Sequence, residues 1–482
     1  MTDIFENFGD ADISPKEDGG YDFVVIGAGS AGFSAAITAA ENGARVALVG
    51  HGTIGGTCVN VGCVPSKTLI RAAEAVHHTN TASRFNGIAA TAKLEKWREV
   101  VAQKQELVTD LRQAKYLDLL PEYKNVTYLE GPAHFTEDGL LVGGHQINGG
   151  KIIIATGSVP NIPTIPGIED VAYLTSTTAF ELEQLPSSLL IIGGGYIGCE
   201  IAQMFARFGV HVILVTRSRL LPDAEPEISE ALTHYFRDEG ITVHEGLSYE
   251  KILGIETGVE LAVSQDGKNS TIKAEKVIVA TGRTPNTKGL GLGIADINRT
   301  DEGGIVVDEY MRTSRPGVYA AGDVTGTDQF VYMAAYGAKI AAENALFGDH
   351  RQYNNIAMPA VVFTDPQVAS VGYTEALAKA SGYAVLTSVL PLKHVPRALA
   401  ARDTRGLIKL IAEAGSKRII GAHILAPEGA DSIQTAALAI RNQMTFTELG
   451  DMIFPYLTTV EGLKLAAQTF EKDVSKLSCC AG

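Results

Sequence analysis

Residues 21–50 read YDFVVIGAGSAGFSAAITAAENGARVALVG. An apolar run comes first, then Gly27, Gly29 and Gly32 in a G-x-G-x-x-G spacing, then an Ala-rich stretch and a second apolar run. That order predicts strand, tight turn, helix and strand, the opening of a doubly wound α/β domain. Glycine lets the chain turn sharply and lets the backbone approach a pyrophosphate seated at the helix N-terminus. The spacing alone is weak evidence; the strand before it and the helix and strand after it make it a dinucleotide-binding turn. Such units commonly end their second strand on an acid that binds a ribose. Gly50 and His51 stand there instead, so a phosphate site is expected and the ribose contact is unassigned.

The same order recurs at residues 187–218, SSLLIIGGGYIGCEIAQMFARFGVHVILVTRS, with Gly193, Gly195 and Gly198 as the turn glycines. Thr216, Arg217, Ser218 and Arg219 close its second strand, with no acid among them. Arginines there suit the 2′-phosphate of NADP; as a bland alternative they are solvated surface charges. Two dinucleotide units imply two dinucleotides. IIIATGSVPNIP and VIVATGRTPN each end a strand in Ala-Thr-Gly, and GVYAAGDVTG sets Asp323 in a Gly-flanked turn. From about residue 355 the pattern changes to strand-like runs, AVVFTDPQVASVGY and GLIKLIAEAGSKRIIGAHILA, with the helical ADSIQTAALAIRN after them. We read this as a separate α+β domain.

Composition bounds the rest. A chain of 482 residues with 45% hydrophobic content can build about three domains. A formal net charge of −15 argues against nucleic acid or an anionic membrane as partner. No apolar run reaches the ~20 residues of a membrane-spanning helix. The acidic start, MTDIFENFGDADISPKEDGG, lacks the basic and apolar regions of a signal peptide. The expected compartment is the cytoplasm, and residues 1–20 read as a flexible leader.

Five cysteines do not make a disulfide framework in a chain of this length. Cys199 is expected to be a small buried apolar residue. Cys58 and Cys63 lie in GGTCVNVGCVPSK. A zinc site would need two more ligands nearby, and a structural disulfide is disfavoured in the cytoplasm. A redox-active dithiol beside a flavin fits best, its thiolate favoured by a helix start and by Lys67. The chain closes on KLSCCAG, residues 476–482. Adjacent Cα atoms sit ~3.8 Å apart, short of the roughly 4.4–6.8 Å a disulfide prefers. Cys479 and Cys480 therefore read as two thiols that grip something with affinity for sulfur.

GGTCVNVGCVPSK resembles the redox segment of the pyridine nucleotide-disulfide oxidoreductases, and residues 21–470 carry that family's motifs in order. The resemblance implies a leader (1–20), an FAD-binding domain in two parts (21–160 and 284–354), an NADPH-binding domain (161–283), a dimerisation domain (355–470) and a Cys-Cys tail (471–482). FAD would rest on Gly27, Gly29, Ser30, Gly32, Gly56, Thr57, Lys67, Thr156, Gly157 and Asp323, the last on the ribitol. NADPH would rest on Gly193, Gly195, Tyr196, Gly198, Arg217, Arg219 and Gly282. The resemblance implies that Cys63 faces the flavin and Cys58 exchanges with substrate. It also implies that Lys67 pairs with Glu200 and that Tyr196 covers the nicotinamide pocket.

Members that reduce disulfides carry a His-Pro near the C-terminus, the His acting as acid and base. This chain reads FPYLTTVEGLKLAAQTF, with Tyr456 in the place of that His and Glu461 after it. A phenol with a pKa near ~10 is a poor proton shuttle. With LSCCAG, this segment resembles the branch of the family that reduces mercuric ion, as its catalytic core without the N-terminal Cys-x-x-Cys metal-binding domain that members often carry. Hg(II) is a soft ion that favours thiolates. The resemblance implies Hg(II) as substrate, bound by Cys58, Cys63, Cys479 and Cys480. It implies delivery by the tail and by small thiols, and a homodimer with active sites shared between subunits. Two alternatives stay open: a reductase of small disulfides or dihydrolipoamide, and a non-catalytic flavoprotein that sequesters Hg(II).

Overall fold

The computed structural model describes residues 20–474. Cys479, Cys480 and nearly all of the expected leader lie outside the described residues. The chain divides into two compact units. The first takes the chain up to Pro65, Gln105–Val159 and Arg283–Tyr353; the second takes Ser66–Lys104, Pro160–Gly282 and the chain from Asn354 onward.

In the first unit the strand Tyr21–Ile26 lies at the centre of a five-stranded sheet. Val46–Gly50 and then Val126–Glu130 lie on one side of it, Gly149–Ile154 and then Val318–Ala320 on the other, all pairings parallel. Both faces are covered, so the strands are apolar runs rather than alternating ones. Phe23 and Val25 pack on the face that holds the helices Ser30–Glu41 and Val331–Phe347, where alanines such as Ala35, Ala39, Ala338 and Ala342 are buried. Val24 and Ile26 point the other way, into a cluster with Phe135 and Leu140 of an antiparallel three-stranded meander. The period of two thus divides one strand between two cores. Strand order reverses between Tyr21–Ile26 and Gly149–Ile154, and ligands of such sheets bind beyond the carboxyl ends of the strands at that point.

The second unit repeats this with Ser188–Ile192 at the centre, His211–Val215 and Thr242–His244 on one side and Lys276–Val279 and Leu174–Thr175 on the other, again parallel. The strands from residue 355 onward form a different sheet, antiparallel throughout, in the order Pro359–Val362, Gln367–Gly372, Ile419–Ala426, Leu407–Glu413, Val385–Pro391. The helices Gly429–Arg441, Phe446–Asp451 and Glu461–Gln468 pack on it. The expected mixture of parallel α/β and α+β architecture is present.

Buried ions tie the part of this unit from residue 355 onward to the helices Tyr196–Arg207 and Pro226–Asp238. Lys409 Nζ, 2% exposed, meets Glu225 at 2.8 Å, Glu375 at 2.8 Å and Glu227 at 3.0 Å. Arg207 bridges Glu239 at 2.8 Å and Asp365 at 3.0 Å. Burial pushes the Asp365 carboxyl up, but His78, Arg207 and Arg405 outweigh it and hold the group well below the usual carboxylate range. Charges this deep are tolerated only when paired. Among the described residues no helix is long and apolar enough to cross a membrane.

Candidate active site

Backbone sterics build the first turn. Gly27 has φ +122°, and a Cβ there would lie 2.6 Å from the carbonyl carbon of Ala155. A Cβ on Gly32 would lie 2.7 Å from the carbonyl carbon of Gly27 and run into its oxygen. The helix Ser30–Glu41 follows with Gly29 as its cap, no side chain bonded to its first amides and no acid in its first turn. Those amides are a ready anion site. Gly56, at φ +67°, sits so close that a Cβ would be 2.7 Å from the Gly29 Cα, and Gly55 N–H donates to Ala28 O at 2.9 Å. Such a bare glycine cradle fits the pyrophosphate of a dinucleotide such as FAD.

Cys58 lies on the short helix Gly56–Asn60, and Cys63 is the first residue of the helix Cys63–Asn80; both are half-buried. Gly62 allows the return between them, since a Cβ there would lie 2.9 Å from Thr57 O and 3.3 Å from the Cys58 Cα. Asn60 clamps the loop, its Nδ2 donating to Ile54 O and Gly56 O at 2.9 Å each, and Arg112 donates to its Oδ1 at 3.1 Å.

Two residues beside this pair were not singled out from the sequence. Arg283 Nε donates to Ser158 Oγ at 2.7 Å, its Nη2 donates to Ser158 O at 2.7 Å and reaches Thr57 Oγ1 at 3.5 Å. Ser158 Oγ in turn donates to Asp323 at 2.6 Å, which opens the short helix Asp323–Thr325 after Gly322 at φ +78°. Burial lowers the Arg283 pKa, opposed by the charges of Asp323 and Cys63, so the guanidinium lies within the field of the dithiol. Its only signal was its place after the second Ala-Thr-Gly. Tyr116 bonds Ser30, stacks edge-on to Phe33 at 4.8 Å and has its pKa raised by burial, then by Cys58 and Cys63. It belongs to no motif. Thr156 Oγ1 donates to Asn286 O at 2.8 Å, and Gly157, at φ +71°, accepts from Asn286 N–H at 2.9 Å.

In the second unit Lys67 Nζ meets Glu200 Oε2 at 2.7 Å and lies 4.9 Å from the Phe363 ring centre. The other Glu200 oxygen accepts from Phe363 N–H at 2.9 Å. The second glycine turn has Gly193 at φ +119° and Gly282 at φ +101°, and Gly195 caps the helix Tyr196–Arg207 without a side-chain bond. Burial, then Asp223, raises the Tyr196 pKa at the head of that helix. Gly198 packs against the Gly193 carbonyl. Arg217 is exposed over the Tyr249 ring at 5.2 Å. Arg219 Nη2 is committed to Pro222 O and Ala224 O at 2.7 Å each. Cys199 is fully buried, and burial pushes its thiol far up. Tyr456 is exposed; the next residue, Leu457, donates its N–H to the buried Glu461 at 3.1 Å.

Comparison with known proteins agrees with this layout. Residues 21–342 match the family described as pyridine nucleotide-disulphide oxidoreductase, and residues 358–467 its dimerisation domain. Proteins named mercuric reductase are 47% identical from Streptomyces lividans (96% of this chain, 99% of the relative) and 48% from Shigella flexneri (96% and 83%). The one from Staphylococcus aureus is 46% identical (97% and 85%). Among solved structures, the HOCl-induced flavoprotein disulfide reductase RclA from Escherichia coli superposes with a TM-score of 0.81 at 31% identity, covering 93% of this chain and 99% of its own. Its Cu(II) complex gives 0.80 at 30%, covering 94% and 100%.

Proposed function

The chain belongs to the pyridine nucleotide-disulphide oxidoreductase family, an oxidoreductase enzyme by that membership, and from this premise we propose that it reduces Hg(II) to Hg(0) with NADPH. The observation that carries the reading is similarity of 46–48% over nearly the whole chain to proteins named mercuric reductase, against 30–31% to a disulfide reductase. The exposed Tyr456, where a disulfide-reducing member would need a proton-shuttling His, supports the same choice.

Bound FAD would supply a two-electron relay between NADPH and the metal. The first glycine turn and Gly56 would hold its pyrophosphate by backbone amides, and Asp323, fixed by Ser158 and Arg283, would hold its ribitol. Gly193, Gly195 and Gly198 would hold NADPH, and Tyr196 would cover the nicotinamide pocket. Cys58 and Cys63 take Hg(II) as a bis-thiolate, displacing two carrier thiols. Overall, Hg(SR)₂, NADPH and one proton give Hg(0), NADP⁺ and two thiols. Arg283 beside the pair stabilises thiolate charge, and Lys67, on the helix that Cys63 opens, pairs with Glu200. Cys479 and Cys480 deliver Hg(II), in trans across the dimer. The test is anaerobic NADPH oxidation with thiol-bound Hg(II) while mercury vapour is collected. One Hg(0) per NADPH is expected. Faster oxidation with glutathione disulfide or lipoamide would defeat the reading, and Hg(II) uptake without NADPH consumption would mark a sequestering protein.

A further inference from the structure

The end of the strand Val46–Gly50 lacks the acid that commonly holds a ribose, and its neighbour explains what stands there instead. Leu48 pairs with Tyr128 and Gly50 with Glu130, in parallel register. Residues 48, 50 and 128 share a face, since side chains alternate along a strand and in-register neighbours align. It is the face of the helix Ser30–Glu41, because Leu48 packs there. The half-buried Tyr128 ring leans over Gly50: a Cβ at Gly50 would lie 2.7 Å from its Cε2 and Cζ and closer still to the hydroxyl oxygen.

The second unit is an internal control. Gly27 N–H donates to Val49 O and Gly193 N–H to Val215 O, so the two strand ends correspond and Gly50 is matched by Thr216. Leu214, the counterpart of Leu48, pairs with Val243. Where the third strand carries valine, the strand end carries a side chain; where it carries tyrosine, the strand end is glycine. The tyrosine hydroxyl has thus entered the space the acid's side chain would cross.

We infer that Tyr128 replaces the strand-end acid, its hydroxyl binding the ribose hydroxyls of the adenosine half of a dinucleotide on the first glycine turn. The inference rests on the FAD reading above. Burial, then the neighbouring Glu130 charge, keeps the phenol protonated and able to donate.

The test titrates the flavin-stripped protein with FAD and with an FAD analogue whose adenosine ribose lacks both the 2′- and 3′-hydroxyls. Tyr128→Phe should weaken FAD about two- to tenfold, the worth of one hydrogen bond, and leave the analogue unchanged. Unaltered FAD affinity overturns the inference, and so does equal weakening of FAD and analogue, which would mean packing alone. The reciprocal swap is a second arm. Tyr128→Val should weaken FAD, Gly50→Glu should be worse because the ring obstructs it, and the double variant should regain affinity. A double variant no tighter than Gly50→Glu contradicts the exchange. Failure of the unaltered protein to take up FAD removes the flavin reading itself, whereas uptake unaffected by Tyr128→Phe removes only this one.

Discussion

Gly27 and Gly193 have φ of +122° and +119°, and at both an added Cβ would collide with the carbonyl of the alanine that follows the neighbouring strand, Ala155 or Ala280. The two turns share one backbone solution. Their surroundings differ. The first has the Cys58–Cys63 loop laid against its helix N-terminus and a tyrosine over its strand end. The second has Arg217 and Arg219 at its strand end, and its unit carries buried ions. Binding a pyrophosphate constrains the backbone alone, so the turns converge; choosing a dinucleotide and reacting with it depend on side chains, so the rims diverge.

The strongest test of that division removes chemistry from the first rim without touching its turn. Cys58→Ser or Cys63→Ser should reduce Hg(II)-dependent NADPH oxidation to background, while flavin absorbance shows FAD retained. The Cys63 variant should also lose long-wavelength thiolate–flavin absorption. Persistence of that band would reassign the flavin-facing sulfur.

Next comes the ionic support of the second unit. Lys409→Met leaves Glu225, 2% exposed, without its ammonium and should cost about 3–5 kcal/mol in denaturant unfolding. The same cluster carries an acid limit. Lys379 and Lys409 hold the Glu375 carboxyl down to about 2 from its ordinary 4.5. A carboxyl lowered by folding stabilises fully above its unfolded pKa, so its contribution should fade as pH drops from 4.5 towards 2. Amide exchange at Leu407–Glu413 followed over that range measures it; protection that does not fall would contradict the assignment.

Glycine substitutions separate the turns. Gly198→Ala should weaken NADPH by one to two decades, from overpacking of roughly 1–3 kcal/mol, with FAD kept; Gly32→Ala should do the reverse. Loss of both dinucleotides from either variant would mean that the turns are not independent. The smallest effect concerns coenzyme choice. Arg217→Ala should raise the KM for NADPH about tenfold, the low end of a charge-assisted contact, and leave NADH nearly unchanged. Arg219→Ala should do less, because its Nη2 already serves Pro222 and Ala224. Equal losses with both coenzymes would assign the arginines to folding.

The sequence by itself determined what is local. Glycine spacing, apolar runs and helical stretches were enough to read two strand–turn–helix–strand units, a separate α+β C-terminal domain and the buried Cys199, because each depends on residues within a few tens of positions. The Cys58–Cys63 loop was legible for the same reason. Only the tertiary structure decided that Tyr128 covers Gly50, that Arg283 joins Ser158 and Asp323, and that Lys409 gathers three carboxylates. These groups are 78 to 184 positions apart in cases such as Tyr128 with Gly50 or Lys409 with Glu225. Strand register and sheet packing bring them together. Neither leaves a local pattern, since a tyrosine in a strand reads the same whether its hydroxyl meets solvent, a neighbouring glycine or a ribose.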